Sequence, residues 1–168
     1  MTREQIFSQF PELDFTIEKC PNFTEFRGER IETGSFALIN SQTGKILNDS
    51  VGESYGVSQN SEVVDLILGG VEKYANELAV KKAGVIHGGR KIYMQFAVNG
   101  NNIFNGDILE RYVTALDSND GTTALSIGIG DLTMSCQNQF YKFHKRSNSR
   151  FKHTASITER MQEIPKLI

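Results

Sequence analysis

The chain has only two cysteines in 168 residues, Cys20 and Cys136. That is too few for a disulfide framework or a four-ligand zinc site. Proline is almost as scarce, with two of the three, Pro11 and Pro21, inside the first thirty residues. No apolar run exceeds five residues, whereas a bilayer span needs about 20. The start, Met1-Thr2-Arg3-Glu4-Gln5, leads into no apolar signal segment. The expectation is a protein of the cytoplasm, with no membrane partner. The two glycosylation sequons, Asn22-Phe23-Thr24 and Asn48-Asp49-Ser50, are then coincidental. Repeats and low-complexity tracts are lacking too, and 39% hydrophobic with 23% charged residues excludes a disordered chain. What remains is one domain over residues 1–168, large enough to bury roughly 70% of its unfolded surface without staples.

Charge is unevenly placed. From Lys142 to Ile168 there are seven basic and two acidic residues, while the rest of the chain carries 11 basic and 18 acidic ones. A basic functional face on an acidic body is the expectation.

Residues 1–30 read as an irregular arm, with scattered phenylalanines and room for one short helix. A hairpin follows, with Phe36-Ala37-Leu38-Ile39 as one arm, a turn at 41–44, and Lys45-Ile46-Leu47 returning. A short strand is expected at Ser54-Tyr55-Gly56-Val57. Val63, Val64, Ile67, Leu68, Val71, Ala75 and Leu78 recur at helical spacing and predict a helix over 61–78. Gly69-Gly70 marks either a break or a close approach of another backbone. Ile92, Met94, Phe96 and Val98 alternate with polar residues, predicting a hairpin over 83–98 that turns at Gly88-Gly89. A third hairpin turns at Asp120-Gly121, between arms 110–116 and 122–129. Leu132–Ser135 extends again, Cys136–Lys145 has helical spacing, 147–149 is a linker, and Thr158–Ile164 is a last helix stopped by Pro165. The fold class is α+β: a largely antiparallel sheet built from hairpins, with one long and two shorter helices packed on it.

Motifs for catalysis are weak. Thr43-Gly44-Lys45 lacks the first glycine and the Ser/Thr of a phosphate loop. Gly84–Gly89 leads into Arg90-Lys91, between two strands. Asp107, Glu110, Asp117, Asp120 and Asp131 offer carboxylates for a metal-dependent nuclease, but turns and strand breaks account for three of them. Cys136 sits on a phenylalanine face and reads as buried and inert. His87, His144 and His153 show no ligand spacing. No cofactor is implied.

The segment from Phe140 to Thr154 carries the most information. Lys142, Lys145, Arg146, Arg150 and Lys152 interleave with aromatic residues, the pattern of phosphate contact combined with base stacking.

Several motifs form an ordered series: Tyr55-Gly56-Val57-Ser58-Gln59-Asn60, Gly88-Gly89-Arg90, Asp117 to Ala124, Cys136-Gln137-Asn138, and His153-Thr154 before a short helix. Over about 35–164 the series resembles the phage- and plasmid-encoded uncharacterised family catalogued as domain of unknown function nine-three-two, of which this chain would be a compact member. The resemblance implies a mobile-element origin and a cytoplasmic location. It supplies no reaction.

The leading expectation is a phage or mobile-element accessory protein that binds single-stranded nucleic acid, DNA in preference, in recombination or replication by strand annealing. Arg90, Lys142, Lys145, Arg146, Arg150 and Lys152 would contact phosphates. Tyr141, Phe151 or His153 would stack bases, and Gln137 or Asn138 would hydrogen-bond to them. By analogy with phage annealing proteins, a homo-oligomer is expected, and no catalytic step is needed. The alternatives are a protein-binding modulator of a host defence or replication protein, and the nuclease.

Overall fold

The computed structural model describes residues 1–71, 79–104, 107–130, 142–143, 147 and 149–167. In order these contain α1 (Arg3–Gln9), β1 (Ile17–Phe26), β2 (Glu29–Asn40), β3 (Ile46–Val51), α2 (Asn60–Val71), β4 (Ala79–Ile86), β5 (Lys91–Phe104), β6 (Asp107–Ser118), β7 (Leu125–Gly130), β8 (Ser149–Phe151), α3 (Ile157–Met161) and α4 (Ile164–Leu167). The fold is α+β and antiparallel. Its strands form two sheets, β1-β2-β3 and β4-β5-β6-β7-β8, rather than one.

Alternation along β5 sets the larger sheet. Ile92, Met94 and Phe96 are at most 1% exposed. Register places them opposite Asp117, Ala115 and Val113 of β6, and Ala115 opposite Ile127 of β7. α2 lays Val63, Val64 and Ile67 on this face, joined by Leu125, Phe151, Ile157, Met161 and Ile164. The other face is buried as well, around Leu116 and Phe143, and Gln95 Nε2 donates to Thr114 Oγ1 across it at 3.0 Å. Phe15, Ile17, Leu38, Leu47 and Val51 make a separate small core under the three-stranded sheet.

Several expectations are corrected. The first thirty residues are regular, not an irregular arm. Thr2 and Gln5 form a capping box for α1, and β1 runs for ten residues. Pro21 fits there because β1 is an edge strand, where a missing N–H needs no partner. The phenylalanines show no period because they serve different surfaces: Phe15 lies in the small core while Phe23 and Phe26 are exposed. No strand forms at 54–57. α2 continues through Gly69-Gly70 to Val71, and the rest of the expected helix lies outside the described residues. The turn at Gly88-Gly89 has four residues, because Ile86 pairs with Lys91. Gly89 has φ +93°, and a Cβ there would stand 3.3 Å from Phe15. The span 147–149 is not wholly a linker, since Ser149 opens β8. Pro165 lies within the first turn of α4 rather than merely ending α3, a position where its missing N–H is tolerated. The expected strand at 132–135 and the Cys136 site lie outside the described residues.

Candidate functional site

Asp117 lies one residue from the end of β6, on the face that the helices cover. Its side chain is 1% exposed. Ser58 Oγ donates to Oδ2, and the Ser118 N–H donates to Oδ1 at 2.7 Å. His153 Nε2 stands 3.0 Å from Oδ1, a close approach of imidazole and carboxylate that falls short of hydrogen-bond geometry. The imidazole stacks on Tyr55, with centroids 5.1 Å apart and planes 9° from parallel. His153 Nδ1 is 3.3 Å from the Gly56 carbonyl, and the Gly56 N–H donates back to the His153 carbonyl at 3.4 Å. The 52–59 loop and the 152–156 loop are thus clasped together over Asp117.

Gly56 is what permits the clasp. A Cβ there would sit 2.0 Å from the Thr154 carbonyl oxygen and 2.7 Å from Ile157. Backbone would have to move, so Gly56→Ala should destabilise the fold by about 2 kcal/mol, read as a lowered urea midpoint at constant m-value. An unchanged midpoint would mean that the two loops do not meet so closely.

A second ring of bonds extends the junction. Asn119 Nδ2 donates to the Gly89 carbonyl at 2.9 Å, and the Asp120 N–H donates to the Arg90 carbonyl at 3.2 Å. Asn48 Nδ2 reaches the Asp120 carbonyl at 2.5 Å, tying in β3. Asp120 Oδ1 accepts from Ser118 Oγ at 2.7 Å, Thr122 N–H at 3.0 Å and Thr122 Oγ1 at 2.6 Å. Four motifs of the sequence series, around Gly56, Gly89, Asp117–Gly121 and His153, therefore meet in one place. The fifth, Cys136-Gln137-Asn138, lies outside the described residues.

The titrating groups reflect this burial. Desolvation is the largest influence on His153 and pulls its pKa down. The Asp117 carboxylate and the carbonyls of Gly56 and Thr123 outweigh it, leaving the pKa above the usual histidine value. Desolvation likewise raises Asp120, but bonds from Thr122 and Ser118, with Lys91 nearby, bring it below the usual carboxylate value. Burial pushes the Tyr55 phenol up, and Asp117 and Asp120 add to the shift.

The folded chain holds the His153 proton more tightly than the unfolded chain does. The stabilisation is therefore complete below the unfolded value of about 6.5 and is lost as pH rises through the folded value. Wild-type stability should fall across that window, and His153→Gln should flatten the fall. A pH-independent difference between the two proteins from pH 5 to 9 would contradict the assignment.

Ser58, His153 and Asp117 are residue types of a nucleophilic triad in the wrong arrangement. Ser58 bonds the carboxylate rather than the imidazole and is 2% exposed, so no base activates it. The recess lined by Tyr55, Ser58, Asn119 and His153 has no room for a water molecule. The cluster positions loops rather than binding a substrate. Among the described residues, no three His, Cys, Asp or Glu side chains are grouped to hold a metal ion. The carboxylates of Asp117 and Asp120 are taken up within the junction.

The sequence-predicted contact residues divide. Arg90, Lys142, Arg150 and Lys152 are exposed. Gln137, Asn138, Tyr141, Lys145 and Arg146 lie outside the described residues. Two assignments are corrected. Phe151 is 4% exposed, within the main core, and the His153 side chain is 6% exposed, beneath Tyr55 and against Asp117. Neither ring is presented to a base. Tyr55 and Ser58 were missed as partners of Asp117, because nothing in their local spacing joins them to positions about sixty and a hundred residues away. The exposed Phe23, Phe26 and Ile31 were also missed, because Phe23 and Phe26 lie on opposite faces of β1 and leave no alternation to read.

None of the helices among the described residues is long and apolar enough to cross a membrane. Comparison with curated proteins and with solved structures finds no match. The family model described as Domain of unknown function (DUF932) matches residues 48–168, a later start than the 35–164 expected, which leaves β1 and β2 outside it. With most of its length matched, including every residue named in the Asp117 junction, the chain belongs to the DUF932 family.

Proposed function

We propose that this chain binds single-stranded nucleic acid through the cations of its 142–152 segment and Arg90, as a mobile-element accessory protein acting in recombination or replication. One observation carries the reading. Arg150 and Lys152 are exposed on either side of the buried Phe151. The core side chain anchors β8, so Arg150 stands on an ordered sheet edge, with Lys152 next to it just past the strand, rather than on a loose tail. Lys142 is exposed beside the buried Phe143 in the same way. Cations held in fixed positions can track a phosphate backbone without catalysis. Base contacts then fall to Tyr141, Gln137 and Asn138, just ahead of this segment, since Phe151 and His153 are buried.

A gel-shift series with labelled single- and double-stranded DNA across salt concentration tests the reading. Binding that favours the single strand and weakens steeply with salt is expected. No shift at low salt would sink it and favour a protein-binding modulator, a reading to which the exposed Phe23, Phe26 and Ile31 lend support. Magnesium-dependent shortening of the probe would instead revive the nuclease, with Asp107, Glu110 and Asp131 as its remaining carboxylates.

A further inference from the structure

The outer half of the β1–β2 hairpin is a two-stranded ribbon. It closes at Arg27-Gly28, with φ of 54° and 79°, the two-residue turn that matches strand twist. β3 pairs with β2 only from Phe36 onward, so among the described residues no strand borders positions 29–33 on their outer side. The root of the ribbon is fixed. Gly34 has φ +75°, and Asn22 Nδ2 donates to Ser35 Oγ at 3.0 Å and to the Asp49 carbonyl at 2.7 Å. Phe23, Phe26 and Ile31 are 38%, 59% and 43% exposed.

Register decides what this edge offers. Phe26 faces Glu29 across the turn, and a pair that closes a two-residue turn is hydrogen-bonded. Strict alternation then bonds Thr24 to Ile31 and leaves Glu25–Arg30 and Phe23–Glu32 as non-bonded pairs. The backbone groups of Arg30 and Glu32 therefore point outward from the free edge. The outward sequence Glu29-Arg30-Ile31-Glu32-Thr33 is self-complementary about Ile31. If an identical strand is laid antiparallel on a two-fold axis there, Arg30 faces Glu32 of the second copy in a hydrogen-bonded pair, and so does its symmetry mate. Side chains of opposite charge meet on one face. On the other face Ile31 meets Ile31, with both Phe26 rings alongside.

We infer that the free edge of β2 pairs with the same edge of a second copy of this chain, making a four-stranded ribbon across a two-fold axis. Opposite-charge and apolar cross-strand pairs both stabilise such a ladder, and an isologous contact closes at two subunits. Nucleic acid fits this edge poorly, because 22–33 carries three glutamates against two arginines. The contact is small beside the ~1,200–2,000 Å² of a stable interface, so the dimer is expected to be weak and concentration-dependent. The inference is independent of nucleic-acid binding.

Sedimentation of the full chain over a wide concentration range tests it. The wild type should dimerise reversibly. Arg30→Glu and Glu32→Arg should each raise the dissociation constant by ~10-fold or more, because like charges would then face each other twice. The double charge swap should restore the dimer, and this rescue separates pairing from misfolding. Ile31→Cys, in a chain whose native cysteines are replaced by serine, should cross-link on oxidation, since non-bonded pairs hold Cα atoms ~4.5 Å apart, within disulfide reach. A wild type that stays monomeric overturns the inference. So do single variants that dimerise as the wild type does, a double swap that stays monomeric, or a dimer that does not cross-link at position 31.

Discussion

Asp117→Ala should lower stability by about 3–5 kcal/mol, the cost of removing one partner from a buried charged network. The side chain accepts from Ser58 Oγ and the Ser118 N–H and balances His153. Truncation leaves the Ser58 hydroxyl and the Ser118 N–H without their acceptor and the His153 imidazole without its counter-charge, at a site closed to water. For a chain of this length that corresponds to a melting point roughly 6–20 °C lower. Asp117→Asn keeps an acceptor oxygen but loses the charge, so it should fall between the wild type and alanine. It should also bring the His153 titration, followed by NMR, down toward or below the usual value, since the carboxylate is what offsets desolvation. A melting point for Asp117→Ala within a degree or two of the wild type would show that the junction does not hold the loops together.

Phe151→Ala should cost a similar ~3–5 kcal/mol, and any loss of nucleic-acid affinity should come only with that lost stability, because the ring anchors the strand that carries Arg150. The ring packs within the main core of Leu125, Ile127, Ile157 and Met161, and β8 has only three residues to hold its place on the sheet. A base-stacking role makes the opposite demand, unchanged melting with binding weakened by ~1–3 kcal/mol. The two readings of one residue are thus separated by one protein and two measurements.

Periodicity made some elements legible and left others hidden. β5 and α2 announce themselves because each buries a continuous stripe: Ile92, Met94 and Phe96 at period two, and Val63, Val64 and Ile67 at helical spacing. β1 does not, because its outer half has no covered face, so Phe23 and Phe26 fall on opposite sides with nothing to select between them. β8 is shorter than any window in which alternation can be seen. The candidate site was half legible. The exposed cations follow from composition, but the burial of Phe151 and His153 is a tertiary fact. His153 reads as a surface residue until Asp117, thirty-six positions earlier, and Tyr55 are brought against it. The glycines at 88, 89 and 121 were explained by turns, as expected. Gly56 owes its place to the approach of the Thr154 backbone, which no local pattern encodes.

The salt dependence of single-strand DNA affinity tests the functional account most directly, compared between the wild type and a Lys142→Ala, Arg150→Ala, Lys152→Ala triple variant. Each phosphate contact contributes about −0.7 to the log–log slope for single strands, so losing three should flatten it by ~2. These side chains are exposed, so the melting point should fall by no more than about 5 °C, the sum of three ordinary surface substitutions. A folded triple variant that binds with the wild-type slope and affinity would contradict the account and leave this segment a solvated surface.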